Sequence, residues 1–272
     1  MTATLSTTRQ PVIFLPHGGG PCFFMDWNWG PANTWDKTRG FLESIASSLP
    51  APPCALLVIT AHWEEEEITA SAAAQPGLIY DYYGFPQHTY ELAWPAPGEP
   101  ALAARAVELL QNSGLPAKIN ADRGFDHGVF VPMKVAFPEA RIPTVSLSLA
   151  ASLDPVLHQA AGRALAPLRD EGVLIVASGM SFHNLRAYYQ PSTSARAGEF
   201  DAWLTAAIEQ PEEERTRLLN GWRNAPAAAF AHPRAEHLIP LMVAAGAGGK
   251  APGRRIFHDQ PMDAALSAYR FD

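Results

Sequence analysis

The sequence predicts one α/β domain, residues 1–272, with a central, mostly parallel sheet flanked by helices and a ligand site at the carboxyl edge of its strands. Three observations predict it. Short, β-rich apolar runs alternate with longer stretches of helical periodicity, the order of β–α–β units. No repeat or low-complexity linker divides the chain. A hydrophobic content of 47% against 17% charged residues supplies a sizeable core.

The elements follow in order. An apolar run at 11–15 predicts a first strand, closed by Pro16-His17-Gly18-Gly19-Gly20-Pro21. Helical periodicity follows at 36–48. A second strand at 55–60 ends in Ala61-His62-Trp63. Residues 64–97 break the rhythm, with Tyr80, Tyr82, Tyr83, Phe85, Tyr90 and Trp94 set among glycines and prolines. They read as strands and loops that wall a pocket, in which Tyr80, Phe85 and Trp94 contact a flat substrate; ordinary core packing would explain them as simply. A helix at 100–113, a strand at 142–149, a helix at 153–170 and a strand at 173–178 complete the alternation. Helical patterns at 198–220 and roughly 234–246 follow. The Ala/Pro-rich stretch at 225–231 is a local loop.

Composition excludes several classes. A net charge of −7 disfavours nucleic acid and anionic membranes as partners. No run of about 18 apolar residues predicts a membrane span. The first ten residues, MTATLSTTRQ, show no charged segment leading into an apolar one, so no secretory signal is expected and the cytoplasm is the default location. Cys22 and Cys54 make no disulfide framework. Cys22 stands near His17, but a small buried hydrophobe is the commoner fate of a free cysteine.

The histidines carry the chemistry. His17 and His62 each follow an apolar run, so both imidazoles can point into one crevice beyond the strand ends. Imidazole is the commonest protein metal ligand, and two in the same relative place point to a metal site. The glycines after His17 also suit a phosphate loop, but the lysine and spacing of a P-loop are absent. His183 follows the strand at 173–178 and suits a ligand or an acid/base role, or a plain loop hydrogen bond. His127 lies in Gly124-Phe125-Asp126-His127-Gly128, where Asp126 can orient an imidazole or where turn chemistry suffices. On a helix starting near Pro233, His232 and His237 would lie about 140° apart. His237 would share a face with Leu241 and point inward, leaving His232 a supporting place. His88, His158 and His258 need only surface roles.

In order along the chain stand His17-Gly-Gly-Gly-Pro, Thr60-Ala-His62-Trp63, Gly84-Phe-Pro86, Tyr90-Glu-Leu92 with Trp94-Pro-Ala-Pro-Gly98, and Phe125-Asp-His127-Gly128. Ser178-Gly179 with His183-Asn-Leu185, then His232-Pro233 with Glu236-His237 and Pro240-Leu241, complete the series. Each motif alone is weak; the ordered set, over about residues 11–245, resembles the class III extradiol ring-cleavage dioxygenases, in the DOPA-dioxygenase-like branch of the LigB superfamily.

The resemblance implies one metal held by His17, His62 and His237, with His183 as acid/base and His127 near the substrate. Better-known members of the superfamily use two histidines and a glutamate; Glu236 and His237 are adjacent, so Glu236 is the alternative ligand. The implied metal is Fe(II). Three neutral imidazoles also suit Zn(II), which has no redox chemistry. The implied partners are a catecholic small molecule and O₂, acting on a monomer or small homo-oligomer. His183 would take a catechol proton and return one as the O–O bond breaks, and the ring would open to a muconic semialdehyde. The competing readings are a zinc hydrolase and a metal-binding protein without catalysis.

Overall fold

The computed structural model describes residues 8–272. The sequence reading of the first ten residues falls, for residues 1–7, outside them.

Eight strands form one sheet: β1 (Val12–Pro16), β2 (Ala55–Glu65), β3 (Ile68–Ser71), β4 (Ala117–Asn120), β5 (Thr144–Ala150), β6 (Val173–Gly179), β7 (Arg254–Asp259) and β8 (Leu266–Phe271). Their order is β4-β3-β5-β2-β6-β1-β8-β7. The central strands β5, β2, β6 and β1 pair in parallel, and β1, β5 and β6 are buried along their whole length. A strand covered on both faces by helices has no charged face to show, hence the apolar runs of β1 and β6; β5 alternates Thr144, Ser146 and Ser148 with apolar residues and still buries them all. Parallel pairing also sends all four carboxyl ends to one edge, which sets Pro16 beside Gly179.

The helices are α1 (Asp36–Ser48), α2 (Pro100–Asn112), α3 (His127–Ala136), α4 (Pro155–Leu165), α5 (Thr193–Ile208), α6 (Glu212–Asn220), α7 (Ala228–Ala231) and α8 (Ile239–Gly248). All ten residues of α8 are buried, between strands β1, β2 and β6 and helix α4. The α4–α8 crossing is close because Gly162 and Gly246 meet the other helix's backbone, where any Cβ would overlap a carbonyl. These residues fold as a single α/β domain with helices flanking a mostly parallel sheet, as the alternation predicts.

Several boundaries differ from the sequence reading, each for a local reason. The helix expected at 198–220 is two, because Pro211 lacks an N–H and disfavours helical geometry at Gln210. The helix expected from 234 starts at Ile239, with Pro240 in its first turn; residues 233–238 are bends and turns. The helical-wheel separation of His232 and His237 therefore does not apply. The pattern at 153–170 ends as an α-helix at Leu165 and tightens to a 3₁₀ turn over Ala166–Arg169. Strand β2 runs past Thr60 to Glu65, with a register shift between Ile59 and Glu64, so His62 lies within an irregular strand rather than beyond its end. Helix α3 was not expected. Nor was the antiparallel pair β7–β8, which closes one edge of the sheet.

Candidate metal centre

Five imidazoles converge at the carboxyl edge. His17 is the first residue after β1, and its N–H donates to Gly179 O at 3.2 Å. Gly18 takes φ +85°, and a Cβ there would lie 2.5 Å from Cys22 Sγ, so the turn that frees His17 requires glycine. His62 sits on the irregular part of β2. Its neighbour Gly128 opens α3 against it, and a Cβ on Gly128 would come within 2.9 Å of the imidazole. His127 is the first residue of α3. His237 lies in the turn before α8, held by Met180 N–H donating to its carbonyl at 2.9 Å.

The rings of His17 and His62 are 4.9 Å apart, and His237 is 5.2 Å from the first and 4.9 Å from the second. His127 stands 3.9 Å from His62 and 5.4 Å from His17. His183 stacks on His237 at 3.4 Å. Nε2 of His17 and Nε2 of His62 lie 3.3 Å apart. Two nitrogens each bound at about 2.1 Å to one ion would be roughly 3.0–3.4 Å apart at octahedral to tetrahedral angles. His237 Nε2 and His17 Nδ1 are buried without any hydrogen-bond partner. Buried nitrogens are rarely left so in a finished core; with Nε2 of His17 facing Nε2 of His62 and His237 Nε2 free, the donor set fits a divalent ion. Two compact donor groups result, His17–His62–His127 and His183–Glu236–His237.

Carboxylates orient the rings. Glu236 Oε1 accepts from Nδ1 of His237 at 2.9 Å and faces Nδ1 of His183 at 3.3 Å. That leaves Nε2 of both rings as the free base, the arrangement by which carboxylates direct metal-binding imidazoles. Arg234 pairs with Glu64 at 2.5 Å and stands 3.3 Å from Glu236 Oε2, holding the glutamate in place. On the other side, Asp81 Oδ1 accepts from both the backbone N–H of His127 at 2.9 Å and its Nδ1 at 2.8 Å. Asp126, the expected orienting group, instead accepts from Thr60 Oγ1 at 2.7 Å and Arg123 at 3.2 Å. Burial, then the neighbouring imidazoles, push His17 and His237 well below the usual histidine range. Burial and His127 push His62 down to about 3. Burial alone would raise Glu236, but its bonds to His183 and to its own backbone, with Arg234 nearby, hold it below the usual carboxylate range. The three rings are thus neutral at pH 7, the form that binds metals.

Phe85 lines the cavity above these rings. Tyr80 and Trp94, expected beside it, do not: Tyr80 turns its hydroxyl to Leu92 O at 2.6 Å and Trp94 buries its indole on Phe137 O at 3.0 Å. Satisfying a buried polar tip draws each ring into the wall rather than the cavity. Cys22 is buried and burial raises its thiol, away from the thiolate a metal needs. His232 is buried and its Nε2–H donates to Ser181 O at 2.9 Å, bracing the loop that carries His183. His158 is buried too, with both nitrogens bonded to backbone at 2.7 and 3.1 Å, so the surface role expected for it does not hold. Asp81, which holds His127, and the tryptophans Trp27, Trp29 and Trp35, which alone of these four line the cavity, were missed. The available signal was density: three of the chain's seven tryptophans fall within residues 27–35.

Comparison with known proteins gives the family. The family described as "Catalytic LigB subunit of aromatic ring-opening dioxygenase" matches residues 11–265. Dioxygenase tasH of Hapsidospora irregularis is 38% identical over 95% of this chain and 84% of its own. The 4,5-DOPA dioxygenase extradiol of Portulaca grandiflora is 40% identical over 88% of this chain and 86% of its own. The crystal structure of an uncharacterised Escherichia coli K12 protein superposes with a TM-score of 0.77 at 29% identity, covering 97% of this chain and all of the other. The chain belongs to the LigB family of aromatic ring-opening dioxygenases. Within it, the chain is a DOPA-dioxygenase-like member, an extradiol ring-cleavage dioxygenase. LigB dioxygenases are metal-dependent, and the histidine–glutamate cluster can hold the ion. Among the described residues no helix is long and apolar enough to cross a membrane.

Proposed function

We propose that the protein opens a catechol ring with O₂ beside its two hydroxyls, giving a muconic semialdehyde, with Fe(II) held by His17, His62 and His237. The observation that carries this reading is the convergence of three neutral imidazoles, of which His237 keeps a buried, partnerless Nε2 while Glu236 holds its Nδ1. Glu236 is engaged by two imidazoles and an arginine, which favours it as an orienting group over a ligand. His127 is close enough to His17 and His62 to compete for the third place; this reading gives it the substrate side, a role that its bond to Asp81 supports. Fe(II) bound there supplies one-electron chemistry that lets ground-state O₂ react with the ring.

The chain's own residues do the rest. His183, its Nδ1 facing Glu236, presents Nε2 as the base that takes a catechol hydroxyl proton and later returns one to an oxygen as the O–O bond breaks. Glu236 links this base to His237, so the two rings are positioned by one carboxylate. His127, fixed twice by Asp81, offers Nε2 to the substrate oxygens. The aromatic walls exclude water, which strengthens each of these hydrogen bonds.

The test is anaerobic loading with Fe(II) or Zn(II), then catechol in an oxygen electrode. The expected result is one O₂ consumed per catechol and a yellow semialdehyde for the Fe(II) form alone. Ester hydrolysis by the Zn(II) form, with no O₂ uptake by the Fe(II) form, would replace this reading with a zinc hydrolase.

A further inference from the structure

The cavity over the imidazoles holds about 520 Å³, several times what an unsubstituted catechol needs. Its floor is the histidine cluster. Its upper part is Trp27, Trp29, Trp35, Tyr82, Tyr83 and Phe85 with Leu185, Tyr188 and two methionines. No lysine, arginine, aspartate or glutamate lines it. Arg186 and Arg234 line an adjoining groove that shares only His183 and Leu185 with this cavity, and Arg234 is paired with Glu64.

The mouth is also where the molecule exposes apolar side chains. Six large hydrophobic residues are exposed among those described, and three of them, Trp29 at 51%, Tyr83 at 87% and Leu185 at 69%, border this one cavity. Exposed apolar groups gathered at one opening mark a binding surface. Trp29 is not loose: its ring lies 5.0 Å from Trp27 and 5.4 Å from Phe85, and its carbonyl accepts from Tyr189.

We infer that the substrate is a catechol whose ring carries an uncharged, apolar substituent reaching the Trp29–Tyr83–Leu185 rim. This deepens the ring-cleaving reading and rests on it for the placement of the hydroxyls on the floor. A carboxylate or zwitterionic side chain, such as an amino-acid substituent, would enter this cavity without a counter-charge and lose its water. An alkyl or aryl substituent gains from the same walls with each carbon buried.

The experiment uses the full-length protein loaded with Zn(II), which holds the ligand cage without turnover, and quenching of tryptophan emission as the binding readout. The probes are butylcatechol and dihydroxyphenylpropanoate, near-matched in size, with the chain on the same ring carbon. Butylcatechol should bind at least about tenfold more tightly. Leu185→Lys, an exposed change at the rim, should strengthen propanoate binding about tenfold and weaken butylcatechol. Equal or tighter binding of the propanoate by the unmodified protein, or no response to Leu185→Lys, would overturn the inference. Turnover of both catechols by the Fe(II) form is measured alongside. If neither is cleaved, the ring-cleaving reading fails while the binding ratio still decides the substituent class.

Discussion

Two buried polar regions of this molecule look alike in the sequence and differ in their hydrogen bonds. Arg169 and Arg215 lie beneath the surface near the C-terminal end of α8. Arg169 donates to the carbonyls of Gln10, Ala247, Gly248 and Phe271 at 2.8–3.3 Å. Arg215 donates to those of Gln210, Ala245, Gly249 and Ala251. Both cap carbonyls that a helix end leaves open. At the opposite edge, His17 and His237 are as deeply buried, yet each keeps a nitrogen with no partner. The arginines complete the scaffold from within the chain; the histidines are completed only by something added. A buried polar group that is satisfied marks stability, and a cluster of unsatisfied ones marks a ligand.

The comparison breaks most visibly at the histidines. His17→Ala, His62→Ala or His237→Ala should abolish metal retention, read by metal analysis after dialysis, while His88→Ala should not. The metal-free His237→Ala protein should unfold at an unchanged or higher urea midpoint, since the change removes an unpaired buried nitrogen. A large loss of fold in that variant would mean that the ring is scaffold.

His183→Ala should keep its metal and lose about 10²–10⁴-fold in turnover. Failure to hold metal would make His183 a ligand.

The mirror case is Arg169→Met, which removes the donor that four carbonyls share. It should cost at least about 3 kcal/mol in urea unfolding, while the fraction still folded keeps full metal content. A smaller effect, Glu236→Gln, should weaken metal binding by about 10–100-fold and shift the pH profile of turnover, a readout that simple loss of packing would not move.

The smallest effect is on pH. His17, His62 and His237 are held below their ordinary value, so under about pH 6.5 the unfolded chain binds more protons than the folded one. Stability of the metal-free protein should therefore fall with acidification from pH 6.5 toward the His62 value of about 3, and stay level above pH 7 as far as these groups are concerned. Thermal midpoints at pH 7.5 and 5.5 read it, and His237→Ala should flatten the slope.

What the sequence shows of this comparison is uneven. The buried parallel strands are legible because burial on both faces keeps charged residues out of β1, β5 and β6 and leaves short β-rich runs. His17 is legible because β1 stops in a proline and glycines. His62 is legible as a residue but not in its setting, since the bulge that carries it past Ile59 leaves no mark on composition. His237 is reached by a helical wheel that does not exist there: the turn over 233–238 is held by tertiary bonds such as Met180 N to His237 O. Helix α3 hides because nine of its ten residues are buried and Pro132 sits inside it, so its apolar run has no helical face to show. Asp81 is invisible for the same reason that Tyr80 and Trp94 mislead. Backbone direction through residues 72–97 is set by single bridges such as Leu78 to Phe125, and nothing local decides which side chain faces the cavity.

The central claim is that His17, His62 and His237 hold one iron. The most direct measurement is anaerobic titration of Fe(II) into the unmodified protein, His237→Ala and His127→Ala, followed by calorimetry and then by oxygen uptake with catechol. One tight site in the unmodified protein, retained in His127→Ala and lost with oxygen uptake in His237→Ala, is the predicted result. Loss of the site in His127→Ala with its retention in His237→Ala would contradict it and move the third ligand to His127.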